Sequence, residues 1–215
     1  MRFFILLLLL IPFAYAFYVF PDLPEQIPTH FGVEGKPDAW GNKGSIYLAP
    51  GILSVVGFGI FMLFQNLNKF DPKLEKGNPN AKVFQDLSVG LVVFLSLLGC
   101  VIVYASANSG IQITKILLPL IGISFSMFGW YMPKIGPNYF AGFRLPWTLE
   151  NPENWKMTHF LAGRLWFYGG MLQALFCYFL TGKSPIFIFL GITAVLVLGP
   201  VAYSYKFYKE NSSKN

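Results

Sequence analysis

Six apolar runs, each about as long as a lipid bilayer is thick, constrain this chain more than any other feature. Residues 3–20, 46–66, 84–105, 114–132, 160–180 and 185–205 are nearly free of charge. A helix rises about 1.5 Å per residue, so runs of roughly 18–22 residues span the ~30 Å hydrocarbon core. Backbone groups in lipid must pair within their own segment, which makes such runs helices. The alternating ten-residue pattern of an outer-membrane barrel is absent. Charged residues make up 12% of the chain, against about 25% in soluble domains. An all-α membrane protein with six transmembrane helices is expected. Arg2, the leucine core and Ala14-Tyr15-Ala16 also resemble a cleavable leader. Apolarity continues through Phe17–Phe20, so a retained helix is expected.

Lys and Arg fix the orientation, because they accumulate in cytoplasmic segments. With the N-terminus inside, the inner segments hold Arg2, Lys69, Lys73, Lys76, Lys82, Lys134, Arg144, Lys156, Arg164, Lys206, Lys209 and Lys214. The outer ones hold Lys36, Lys43, Lys115 and Lys183. Both termini are therefore expected in the cytoplasm. The net charge of +6 is accounted for by topology, so no direct nucleic-acid partner is implied. The lipid bilayer is the partner that composition implies. Residues 1–83 are expected to form a helical hairpin with its outer loop, and 84–215 a four-helix region. Cys100 and Cys177 sit in apolar runs and read as packing residues.

The membrane interior is poor in ionisable groups. Asp86 and Arg164 lie near helix ends, and Gln173 is the one strongly polar side chain near a midplane. Ion-coupled transporters usually need charge there, so a small-molecule or lipid transporter is disfavoured. Gln173 reads as a helix–helix hydrogen bond, and Gly57, Gly59, Gly122 and Ser126 as close packing.

Two polar segments interrupt this pattern. Residues 21–44 carry four prolines and four glycines and are expected to form an ordered outer loop, with turns at Glu34-Gly35 and Trp40-Gly41-Asn42. His30, Glu34 and Asp38 recur every four residues, a metal-ligand spacing on a helix. Gly32, Gly35 and Pro37 argue against that helix, so the expectation is no metal and no cofactor. A hydrolase using His30 on the outer face remains the rival reading. The second segment, residues 133–159, is a cytoplasmic loop. Pro146 and Pro152 are expected to prevent a continuous helix. Arg144 should stay at the interface or pair with a carboxylate such as Glu150 or Glu153, and Trp147 and Trp155 should anchor the loop at headgroup level. A connector so much longer than the usual two to eight residues favours a functional role over a passive one.

The string GFRLPWTLENPENWKMTHFLAGRLW resembles the signature of the SdpI family, immunity proteins against the SDP peptide toxin. The residues that carry it are Gly142, Arg144, Pro146, Trp147, Thr148, Trp155, Lys156, Gly163 and Arg164. LPEQIPTHFGVEGKPDAWGNK resembles the domain of unknown function that precedes that signature, through Pro28, Thr29, His30, Phe31, Gly35, Trp40 and Lys43. The resemblance implies a non-enzymatic protein that resists or senses a secreted antimicrobial peptide on the outer face. It also implies capture of a cytoplasmic transcriptional repressor, with the first set of residues except Gly163 as docking or gating loop and the second as recognition surface.

Overall fold

The computed structural model describes residues 2–71 and 80–212. Lys73, Lys76 and Lys214, counted above, lie outside them. Helix α1 spans Arg2–Val19, α2 Leu48–Gln65, α3 Asn80–Ala107, α4 Thr114–Tyr131, α5 Pro146–Glu150, α6 Pro152–Phe179 and α7 Ser184–Ser212. Between α1 and α2 lie strands β1, Gln26–Phe31, and β2, Pro37–Asn42. Arg2–Asp22, Lys43–Gln65, Asn80–Ala107, Thr114–Lys134 and Ser184–Asn211 are long and apolar enough to cross a membrane. Helix α6 is not among these five, although the sequence predicts a span at 160–180. Its polar first turns, Arg164, Gln173 and several glycines dilute its apolarity.

Pro12 of α1 and Pro200 of α7 show how a carbonyl freed within a helix finds a partner, as backbone groups in lipid must. Pro12 in α1 has no N–H and frees the carbonyl of Leu8. Ser96 of α3 donates to that carbonyl at 2.6 Å. Pro200 in α7 frees Leu196 in the same way, and Trp166 Nε1 of α6 donates to it at 2.9 Å. Gln173 Nε2 donates to Phe189 O at 2.9 Å and Thr193 Oγ1 at 2.7 Å, a helix–helix tie as expected. Helix α1 contributes Ile5 and Leu9 to one buried cluster with Phe61 and Val92. It contributes Ala16 to another, with Leu23, Ile27, Ile46 and Val103.

Helices α4 and α6 approach along a seam of small residues. A Cβ at Gly122 would come 2.7 Å from Gly170 O, and one at Gly129 2.8 Å from Gly163 O. Ser126 Oγ donates across the seam to Phe167 O at 2.8 Å. Gly57 also marks a close approach, 3.0 Å from Leu9 for an added Cβ. Gly59 does not, since nothing lies within 4 Å.

The outer loop corrects one expectation: it is an antiparallel hairpin, not a series of turns. Ile27 pairs with Gly41 and Pro28 with Trp40, and the register shifts between Pro28 and His30. Trp40–Asn42 is strand, so of the two expected turns only Glu34-Gly35 is one, with Gly35 at φ +75°. Gly41 lacks a side chain for a reason: a Cβ would lie 2.9 Å from Thr29 Cγ2. The tip is tied to α4 by Ile113 N donating to Gly35 O at 3.0 Å. Lys183, in the α6–α7 turn, lies 4.0 Å from Glu34. The hairpin, the start of α4 and the α6–α7 turn thus share one end of the bundle. Residues 133–151 occupy the other.

Candidate functional site: the loop between α4 and α6

Residues 133–151 are held as a fixed backbone shape by buried polar side chains. Asn138, fully buried, closes a local loop: its Oδ1 accepts from Phe140 N and Ala141 N, and its Nδ2 donates to Gly136 O and Ala141 O. Asn80 Oδ1 of α3 accepts from Gly136 N at 3.0 Å. Asp71 Oδ2 accepts from Tyr139 N at 2.7 Å. Thr148 accepts from Leu145 N at 2.9 Å and donates to Phe143 O at 2.6 Å.

Pro146 and Pro152 open helices here rather than merely preventing one. Each sits at the first position of its helix, where a missing N–H costs nothing. Asn151 caps α6, its Oδ1 accepting from Glu153 N at 2.9 Å and Asn154 N at 3.0 Å. Helix α6 therefore begins at Pro152, and Trp155 and Lys156 lie on it. Trp155 is 2% exposed, so it is not a headgroup anchor. Its Nε1 donates to Ile135 O at 2.8 Å, and its ring stacks on His159 with centroids 4.0 Å apart. Both polar faces of Asn154 are used: Nδ2 donates to Ser204 O at 3.0 Å and Oδ1 accepts from Thr158 at 2.9 Å.

His159 is the pin on which the signature turns. It lies just ahead of the apolar run 160–180 and is 1% exposed. Nδ1 bonds Trp155 O at 2.8 Å, and Nε2 accepts from Phe143 N at 3.0 Å. The second bond requires a lone pair on Nε2, so the ring is neutral with its proton on Nδ1. Burial pushes its pKa down, from 6.5 to about 4, against the smaller upward pull of the Trp155 carbonyl. Gly142 lies against the same nitrogen with φ +105°. A Cβ there would overlap Nε2.

The remaining predicted residues form the surface. Arg144 is exposed and Nη1 donates to Tyr139 O at 2.6 Å. Among the described residues it makes no ion pair with Glu150 or Glu153. Trp147 is half-buried. Nε1 donates to Ser204 Oγ at 3.0 Å, and the ring packs on Tyr205 and Tyr208. Lys156 and Arg164 are exposed. An apolar cavity of about 470 Å³, with Phe64, Leu87, Phe128 and Trp166 in its wall, lies on one side of Gly142–Phe143. A groove of about 460 Å³ with Tyr139, Arg144 and Leu149 lies on the other.

The outer set sits at the opposite end of the bundle. Pro28 and Gly35 are buried, Phe31 is half-buried, and Thr29, His30 and Trp40 are exposed. His30 Nδ1 is bonded to Asp38 Oδ1. Lys43 pairs with Glu25 at 2.8 Å and Glu34 with Lys36 at 3.4 Å. These pairings divide the carboxylates singly, and no group of three metal-binding side chains occurs among the described residues.

Asn80, Asn138, Asn154, Thr158 and Ser204 escaped the sequence reading as positioning residues. Asn151-Pro152-Glu153 carried a readable cap signal. The others pair across distances such as Asn154 to Ser204, which local pattern does not encode.

Residues 134–204 match the SdpI/YfhL protein family. Residues 7–53 match a domain of unknown function, DUF1648. The resemblance to the SdpI family holds. Immunity protein SdpI of Bacillus subtilis (strain 168) is 22% identical over 206 residues, covering 95% of this chain and 94% of the relative. An uncharacterized protein of Archaeoglobus fulgidus is 37% identical over 41 residues, 19% of this chain and 22% of that protein. No solved structure matches. The chain is a multi-pass membrane protein similar to an immunity protein, as its apolar helices and these matches indicate.

Proposed function

We propose that this protein is a non-enzymatic SdpI-type immunity or signal-transduction protein with six spans and cytoplasmic termini. In this reading the hairpin meets a secreted antimicrobial peptide outside the cell. The loop from Gly142 to Lys156 docks or gates a cytoplasmic repressor. The boundary near residue 83 then separates a sensing hairpin from the docking region. The observation that carries the reading is the similarity to immunity protein SdpI along nearly the whole of both chains.

Geometry supports it in two ways. Helix α6 runs from the loop end, where Asn154 reaches Ser204, to the hairpin end beside Lys183. That course supports a sixth span. His159 has both ring nitrogens committed to backbone, so the loop's buried imidazole holds shape and is not free to act as a base.

The test is expression in a bacterium sensitive to the SDP peptide. Cells carrying the protein should survive the peptide, and cells carrying Arg144→Ala/Trp147→Ala at equal membrane abundance should lose repressor recruitment. Cells no more resistant than the empty strain would refute immunity. Unchanged recruitment in the variant would refute the docking role.

A further inference from the structure

The seam between α4 and α6 ends in a groove of about 260 Å³, with Gly129 and Gly163 in its lining. Lys134 and Arg164 both line it. Lys134 stands 4.5 Å from the Trp130 ring centroid, and Arg164 stands 4.3 Å from that of Phe160. Neither makes a salt bridge among the described residues, and no carboxylate lines the groove. Two like charges share one wall without a counter-ion.

Depth gives the missing anion its chemistry. Lys134 closes the candidate span Thr114–Lys134, and Arg164 lies about one turn into the apolar run 160–180. Trp130 and Tyr168 on the same rim are 59% and 63% exposed, as aromatic residues are at a bilayer surface. Cations at this level face lipid phosphates, and basic pockets between membrane helices take anionic headgroups. A headgroup with net negative charge balances two cations better than a zwitterionic one does.

We propose that the groove between α4 and α6 binds the phosphate of an anionic phospholipid through Lys134 and Arg164, with Trp130 and Tyr168 flanking it. The acyl chains run down the exposed side of the seam. The site depends on the chain crossing a membrane and on nothing in the immunity reading.

Native mass spectrometry of the purified full-length protein tests this, titrating phosphatidylglycerol against phosphatidylcholine of identical chains. The wild type should retain phosphatidylglycerol preferentially. Lys134→Gln/Arg164→Gln should lower that preference roughly 30-fold, from the usual contribution of each basic residue near an anionic surface. Lys134→Arg/Arg164→Lys should keep it, as should Lys115→Gln/Lys183→Gln at the other end. A wild type that does not discriminate the two lipids overturns the site, whatever the variants do. So does a Gln variant that retains full preference. Inorganic phosphate that displaces the lipid at equal concentration assigns a free-anion site and overturns the lipid one.

Discussion

Replacing Gly142 with Ala probes the join between the signature loop and α6. Two costs follow from the geometry. The φ of +105° is a region that L-residues occupy at about 1–3 kcal/mol. The added Cβ also overlaps His159 Nε2, so the Phe143 N–His159 bond must break. Leaving that buried N–H unpaired costs about 1–3 kcal/mol more. The sum is about 2–6 kcal/mol. Gly182→Ala supplies the control, because Gly182 has φ +69° and nothing within 4 Å. It should show the backbone cost alone. Thermal unfolding in detergent, followed by tryptophan fluorescence, measures both. Gly142→Ala/His159→Ala should be less destabilised than the two single changes added together, since the collision disappears with the ring. The reasoning fails if Gly142→Ala costs no more than Gly182→Ala, or if the double variant is strictly additive.

Four further outcomes are expected. His159 has its pKa depressed on folding, so its contribution is full above pH ~6.5 and is lost as pH falls toward 4; relative to His159→Asn, the wild type should lose about 3 kcal/mol over that interval, read from unfolding midpoints. Trp166→Phe should cost about 1–3 kcal/mol by orphaning Leu196 O, and Pro200→Ala in the same chain should restore part of it by returning an N–H. Asn151→Ala should cost about 1 kcal/mol as a lost helix cap, visible in the same unfolding assay. Gly41→Ala should loosen the hairpin, measured by faster hydrogen exchange at Ile27, and Thr29→Ser should relieve it by removing the methyl in the way.

Five spans were legible because lipid imposes a length and a composition together. The hairpin was not: β1 and β2 hold Pro28, Pro37 and Gly41, residues that argue against strands unless a bulge and a bare position accommodate them. Residues 152–159 read as loop because they are polar. Yet Asn154, Thr158 and His159 turn inward, each to a specific partner, and polar composition cannot reveal that a side chain is satisfied inside. Gly163 shows a related limit. It was read only as a small residue of the helix that follows the signature, and the structure gives it the work of bringing α6 against α4. Arg144, expected at the interface or beside a carboxylate, is exposed and holds a carbonyl five residues back.

The bare seam between α4 and α6 has a mechanical meaning. Where helices meet through long side chains, rotamer changes can absorb a displacement of one before the other feels it. At Gly122, Gly129, Gly163 and Gly170 there are no rotamers to change, and backbone lies against backbone. Helix α4 is fastened at one end to the hairpin tip through Gly35 and Ile113. A push on that tip therefore moves α4 and α6 as a single beam, whose far end carries Trp155, His159 and the loop they hold.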